Sequence, residues 1–99
     1  MVSQKVMINY PDDLHIRPAG QLAKTAQKYS SAVYLLHNGA RVDVKSMLAL
    51  LGACIKFGDE VEFICEGEDE EQALADVLAQ LDVEAGFLKI NEKENPKSS

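Results

Sequence analysis

The chain has 99 residues, 46% of them hydrophobic, and a formal net charge of −6. That is room for one domain able to bury its own core. The acidity excludes a general affinity for nucleic acid or anionic lipid. Cys54 and Cys65 stand in apolar company, without further ligands at metal-binding spacing. They read as buried free thiols in a reducing compartment. Met-Val-Ser-Gln-Lys at the start has no apolar signal core, and no apolar run approaches the roughly 20 residues of a membrane helix. The expectation is a cytoplasmic protein that uses no metal and no cofactor.

In chain order, Val6, Ile8 and Tyr10 alternate within 2–10, which predicts a strand. Pro11-Asp12-Asp13 breaks it. From Ile16 the period lengthens: Ala19, Leu22, Ala23, Ala26 and Tyr29 recur at steps of three and four, the inner face of a helix. Pro18 falls in its first turn, where a missing amide proton costs nothing. A second strand follows at 32–37. Asn38-Gly39 marks a tight hairpin turn, since both residues tolerate positive φ, and 41–44 alternates as the returning strand. His37, beside the turn, reads as a surface residue without a role. Ser46 is placed to cap a short apolar helix from Met47 to about Ala53. Phe57-Gly58-Asp59 is a turn, and 60–66 alternates with Val61, Phe63 and Cys65 inward. Asp69 begins the last helix, with Gln72 three residues on as an approximate capping box. Its inner face is Ala73, Leu74, Val77, Leu78 and Leu81. The predicted order is β-α-β-β-α-β-α, an α+β domain with a four-stranded antiparallel sheet and its helices on one face. The domain is expected to span 1–88, followed by a polar tail at 89–99.

The chemistry concentrates in Asp12-Asp13-Leu14-His15-Ile16-Arg17-Pro18-Ala19. A histidine at a helix start meets open amides and the positive end of the dipole, which together favour an anion. A neutral imidazole there is a nucleophile for phosphorus. Arg17, two residues on, brings several donors in a fixed fork to the same oxygens. The same spacing also suits a plain helix cap. A metal-dependent enzyme built on Asp12, Asp13 and His15 matches no established ligand motif, and the hairpin argues against an all-helical acyl carrier.

Leu14-His15-Ile16-Arg17-Pro18-Ala19 resembles the Leu-His-Ala-Arg-Pro-Ala signature of HPr, the histidine-containing phosphocarrier of the sugar phosphotransferase system. Val44-Lys45-Ser46-Met47-Leu48 resembles the segment around that family's regulatory serine, and Gly67-Glu68-Asp69-Glu70 its turn into the last helix. The likeness runs from about Val2 to Leu88. It implies an HPr-like open-faced β-sandwich. It also implies that His15 accepts a phosphoryl group from phosphorylated enzyme I as a pros-phosphohistidine. Arg17 would stabilise that group, and sugar-specific IIA components would take it. The chain would then be a carrier, not an enzyme. Phosphorylation of Ser46 by HPr kinase/phosphorylase, and binding to a catabolite-control transcription factor, are further implications. Ile16, Lys24, Met47, Leu48 and Leu51 fall at docking positions, although Leu48 and Leu51 are also spaced to share a core face. Lys28 with Lys24 would form a basic rim facing acidic partners. A regulatory paralogue, in catabolite repression or a nitrogen-type phosphorelay, is the alternative role. A monomer is expected.

Two positions depart from the family pattern. Asp13 stands where a glycine is usual, with Asp12 beside it. Two carboxylates there either raise the pKa of His15 and repel the incoming group, or simply complement the helix dipole. Ile16 replaces a smaller alanine, adding apolar surface at a docking position.

Overall fold

The computed structural model describes residues 1–8, 16–56, 58–84 and 87–90, with backbone alone at 16–17, 83–84 and 87–90. Eight elements follow in order: β1 (Val2–Ile8), α1 (Ile16–Ala26), β2 (Ala32–His37), β3 (Ala40–Asp43), α2 (Met47–Gly52), β4 (Glu60–Glu66), α3 (Glu70–Glu84) and β5 (Phe87–Ile90). From β1 to α3 this is the predicted order.

The strands form one antiparallel sheet, β3-β2-β4-β1-β5. Asn38 and Gly39 adopt φ of 52° and 81°, the paired positive angles that join β2 to β3 without splaying them. Strand parity then sorts the side chains. Val6, Ile8, Val33, Leu35, Val42, Val61, Phe63 and Cys65 point inward, where Ala19, Leu22, Ala23, Ala26, Leu50, Ala73, Val77 and Leu81 meet them in one core. The small residues Ala19, Ala23 and Ala26 let α1 approach α3 closely. Tyr34 and Arg41 lie on the opposite face, where the guanidinium carbon stands 3.8 Å from the ring centroid.

The structure corrects the sequence reading at four places. A fifth strand extends the sheet past Leu88: Lys89 and Ile90, expected to open the polar tail, pair with Val6 and Lys5. Polar composition hid the alternation of Phe87-Leu88-Lys89-Ile90, which satisfies the otherwise open edge of β1. Second, Asp69 precedes its helix, but its carboxylate reaches back to the α1–β2 connection. Its Oδ1 accepts from the Ser31 amide at 3.0 Å and from the Ser31 hydroxyl, and its Oδ2 accepts from the Ser30 amide at 3.0 Å. Glu70 instead serves the turn, accepting from the Gly67 amide at 3.1 Å. Third, Cys54 is exposed, at a left-handed φ of 54° just beyond α2, while Cys65 is buried as expected. Fourth, His37 is buried, because the inward parity of Val33 and Leu35 carries it under the hairpin.

Candidate functional site

His15 lies outside the described residues, as do Asp12, Asp13 and Leu14. What the structure places is the element that follows them. Helix α1 begins at Ile16, and Arg17 belongs to its first turn. No acidic residue stands in that turn, so nothing on the helix itself offsets the positive end of its dipole. Pro18 and Ala19 are buried, which anchors the helix start to the core.

Helix α2 stands beside α1. Ser46 caps it in extended backbone (φ −109°, ψ 111°), its Oγ accepting from the Ala49 amide at 3.1 Å. The cap aims the first turn outward: Met47 is 38% and Leu48 76% exposed. Leu50 is wholly buried, and Leu51 is half-buried against the core. A Cβ on Gly20 would lie 3.4 Å from the Met47 sulfur, so the methionine covers α1 where that glycine leaves room. The segment just past α1 is laced to Lys45, just ahead of α2. Lys45 Nζ donates to the Tyr29 carbonyl at 2.7 Å, and Gln27 Nε2 donates to the Lys45 carbonyl at 2.8 Å. Lys24 on α1 and Lys28 just beyond its end are exposed. Ser46, Met47 and Leu48 thus adjoin α1 in one surface, with Lys24 further along that helix, while Leu51 contributes to the floor beneath.

One pair was missed by sequence reasoning. His37 Nε2 lies 2.8 Å from Asp59 Oδ2, and the same oxygen accepts from the Lys56 amide at 2.9 Å. Those two hydrogen bonds, the Lys56 amide foremost, hold the Asp59 carboxyl below its usual range. Strand parity was the signal that could have found His37. Among the described residues, no group of three or more His, Cys, Asp or Glu converges as a metal site. No helix there is long and apolar enough to cross a membrane.

The profile of the family described as the PTS HPr component phosphorylation site matches residues 2–82. The chain belongs to the HPr family. It is similar to the HPr-like protein Crh of Bacillus subtilis (strain 168), at 36% identity over 84 residues, covering 85% of this chain and 99% of that one. It is also similar to the phosphocarrier protein HPr of Buchnera aphidicola, at 35% identity over 74 residues, covering 75% of this chain and 87% of that one. Among solved structures it matches the histidine-containing phosphocarrier protein of a mycoplasma, with a TM-score of 0.84 and 29% identity, covering 87% of this chain and 98% of that one. A crystal structure of Bacillus subtilis Crh, described as a domain-swapped dimer, matches with a TM-score of 0.67 and 35% identity, covering 86% and 98%. HPr proteins are phosphocarriers rather than enzymes in the usual sense, and the family supports a carrier or a regulatory HPr-like role.

Proposed function

We propose that the protein is a cytoplasmic phosphocarrier that accepts a phosphoryl group from enzyme I on the pros nitrogen of His15 and passes it to sugar-specific IIA components. The observation that carries this reading is the start of α1 at Ile16, directly after His15 in the chain, within an HPr match over residues 2–82. Open amides and the dipole at such a start favour a phosphoryl dianion over bulk solvent. Arg17 adds fork-shaped donors for its oxygens. The histidine ring supplies the lone pair; the donor's nitrogen–phosphorus bond breaks as the new one forms, and the carrier is regenerated when IIA takes the group. Exposed Met47 and Leu48, with Ile16 and Lys24 on α1, form the docking surface, and the adaptable methionine suits successive partners. Asp12 and Asp13 slow the transfer by repelling the incoming group.

The test is incubation with enzyme I and labelled phosphoenolpyruvate. Acid-labile label that is lost in His15→Ala supports the reading, and an unlabelled wild-type chain overturns it. Asp13→Gly should be labelled faster; an unchanged rate removes the argument about repulsion.

A second reading, regulation through Ser46, is favoured by the likeness to Crh and by the cap geometry. A phosphate on the capping oxygen brings about −1.5 to −2 charges to the edge of the Met47–Leu48 surface. HPr kinase/phosphorylase would add it, and a catabolite-control transcription factor would read it. Acid-stable label from that kinase, without label from enzyme I, would establish this role in place of the first. Sedimentation then distinguishes the monomer we propose from a dimer like that described for Crh.

A further inference from the structure

The peptide unit between Lys45 and Ser46 is held at both its polar atoms. The Lys45 carbonyl accepts from Gln27 Nε2 at 2.8 Å, and the Ser46 amide donates to the Asp43 carbonyl at 3.1 Å. Carbonyl and amide share one plane, so the two bonds fix its tilt and with it the backbone entry into Ser46. Lys45 is tied twice more. Its amide donates to Asp43 Oδ1 at 3.0 Å, and its Nζ donates to the Tyr29 carbonyl at 2.7 Å. Tyr29 is itself anchored to α3, its hydroxyl donating to Asp76.

These bonds act at different ranges. The two to Asp43 close a local turn. The ammonium of Lys45 sits at the end of a flexible stem, so its bond secures the side chain more than the peptide plane. Gln27 lies one residue beyond α1 and eighteen positions before Lys45, and its amide reaches the plane itself. It thus ties that plane to the first helix. The plane leads into Ser46 in extended backbone, where Oγ accepts from the Ala49 amide at 3.1 Å. That bond occupies one lone pair and leaves the hydroxyl its proton and a second lone pair. Ser46 is half-buried, so a tilt of the plane changes how the hydroxyl meets an approaching group.

We propose that Gln27 is a positioning residue for phosphorylation of Ser46, holding through the Lys45–Ser46 peptide unit the backbone from which the serine presents its hydroxyl. This rests on the reading of Ser46 as a phosphorylation site. In that step Oγ forms a bond to phosphorus, a phosphoanhydride bond of the donor breaks, and the hydroxyl proton passes to a base of the kinase. Such a transfer needs its oxygen in line with the leaving group, and a misplacement of about 1 Å can cost roughly a hundredfold in rate. Gln27 touches none of the reacting atoms; it acts through the plane it holds.

The test compares Gln27→Met, of similar length without a donor, and Gln27→Glu, of the same shape with acceptors only, with Gln27→Lys, which restores a donor to the Lys45 carbonyl. Gln27 is exposed, so all three variants should fold. Amide exchange at Ser46 and Ala49 should be about fivefold faster in Gln27→Met and Gln27→Glu, and near native in Gln27→Lys. With HPr kinase/phosphorylase and a labelled nucleoside triphosphate, kcat for Ser46 should fall roughly three- to tenfold in the first two variants and recover in the third, with KM for Gln27→Met within about twofold of wild type. Unchanged exchange at Ser46 overturns the hold on the plane. Faster exchange with unchanged kcat, equal kcat losses in Gln27→Met and Gln27→Lys, or a rise in KM alone, as direct contact with the kinase would give, overturns the positioning role. If the kinase leaves the wild-type chain unlabelled, the reading of Ser46 and the positioning role both fail, and exchange at Ser46 still reports the hold by itself.

Discussion

Replacing Gly67 with alanine perturbs a close approach between two loops. Gly67 has φ of 152°, an angle that side chains rarely adopt, and a Cβ there would lie 2.5 Å from the Ser31 hydroxyl, 2.7 Å from its Cα and 2.9 Å from its Cβ. The Ser31 backbone has nowhere easy to go, because Asp69 grips its amide and hydroxyl and Asp69 leads directly into α3. The unfavourable backbone angle costs about 1–3 kcal/mol, and loosening the Ser31–Asp69 bonds about 1–3 kcal/mol more. A total near 4 kcal/mol lowers the Tm of a domain this size by roughly 16–32 °C. Urea and thermal melts followed by circular dichroism measure it. The double variant Ser31→Ala with Gly67→Ala should be no more stable than Gly67→Ala alone, since removing the hydroxyl leaves the 2.7 Å approach to Cα and forfeits a bond to Asp69. A Gly67→Ala variant within about 0.5 kcal/mol of wild type, or full recovery in the double variant, refutes the reasoning.

Ser46→Ala should lose about 1 kcal/mol, the usual worth of an N-cap, whereas Ser46→Asp keeps an acceptor for the Ala49 amide and should stay near wild type while slowing phosphorylation by enzyme I; equal stability of the two variants would contradict the capping geometry. In the native protein at about pH 8, a thiol reagent should modify Cys54 quickly and Cys65 slowly, because burial foremost pushes the Cys65 thiol up to about 11. Both thiols should react in urea, and two fast thiols in the native state would count against the buried placement of Cys65. Asp69 is held low by the Ser31 hydroxyl foremost, Glu70 by the Gly67 amide and Asp59 by the Lys56 amide. Their lowered folded-state pKa values contribute stability that is present above the ordinary carboxylate range and lost as pH falls through the folded values. The urea midpoint should therefore be level above about pH 5 and fall below about pH 4, less steeply in Asp69→Asn; a midpoint that rises on acidification would reverse the assigned sign.

Local pattern accounts for most of what the sequence made legible. The three- and four-residue steps of α1, the Asn38-Gly39 angles and the Ser46 cap are each decided within a few neighbours, and the structure reproduces them. The misses share a different cause. Asp69 bonds to residues 38 and 39 positions away, and no local spacing announces such a partner. His37 looked like turn decoration because its residue type was weighed above its parity, although Val33 and Leu35 already set the inward face. Cys54 has apolar neighbours, yet the left-handed residue ending α2 turns outward. β5 is four residues long at the edge of a polar stretch, too brief for alternation to outweigh composition. At the candidate site, the Leu14–Ala19 motif carried the resemblance to the HPr family, which the family match bears out, and the structure supplied what a motif cannot: Met47 lying against Gly20, and the lacing of the segment after α1 to Lys45, just ahead of α2.

The strand order has a kinetic consequence. Of the four ladders, β2–β3 joins neighbours through a two-residue turn, while β2–β4, β1–β4 and β1–β5 each wait on distant parts of the chain. Loop closure must precede those pairings, so refolding should be paced by topology, slower than a helical bundle of this length. The central strand β4 makes two of the three distant ladders. Changes at Val61 and Phe63 should therefore slow folding, while changes in the hairpin turn alter mainly how quickly its own small unit forms.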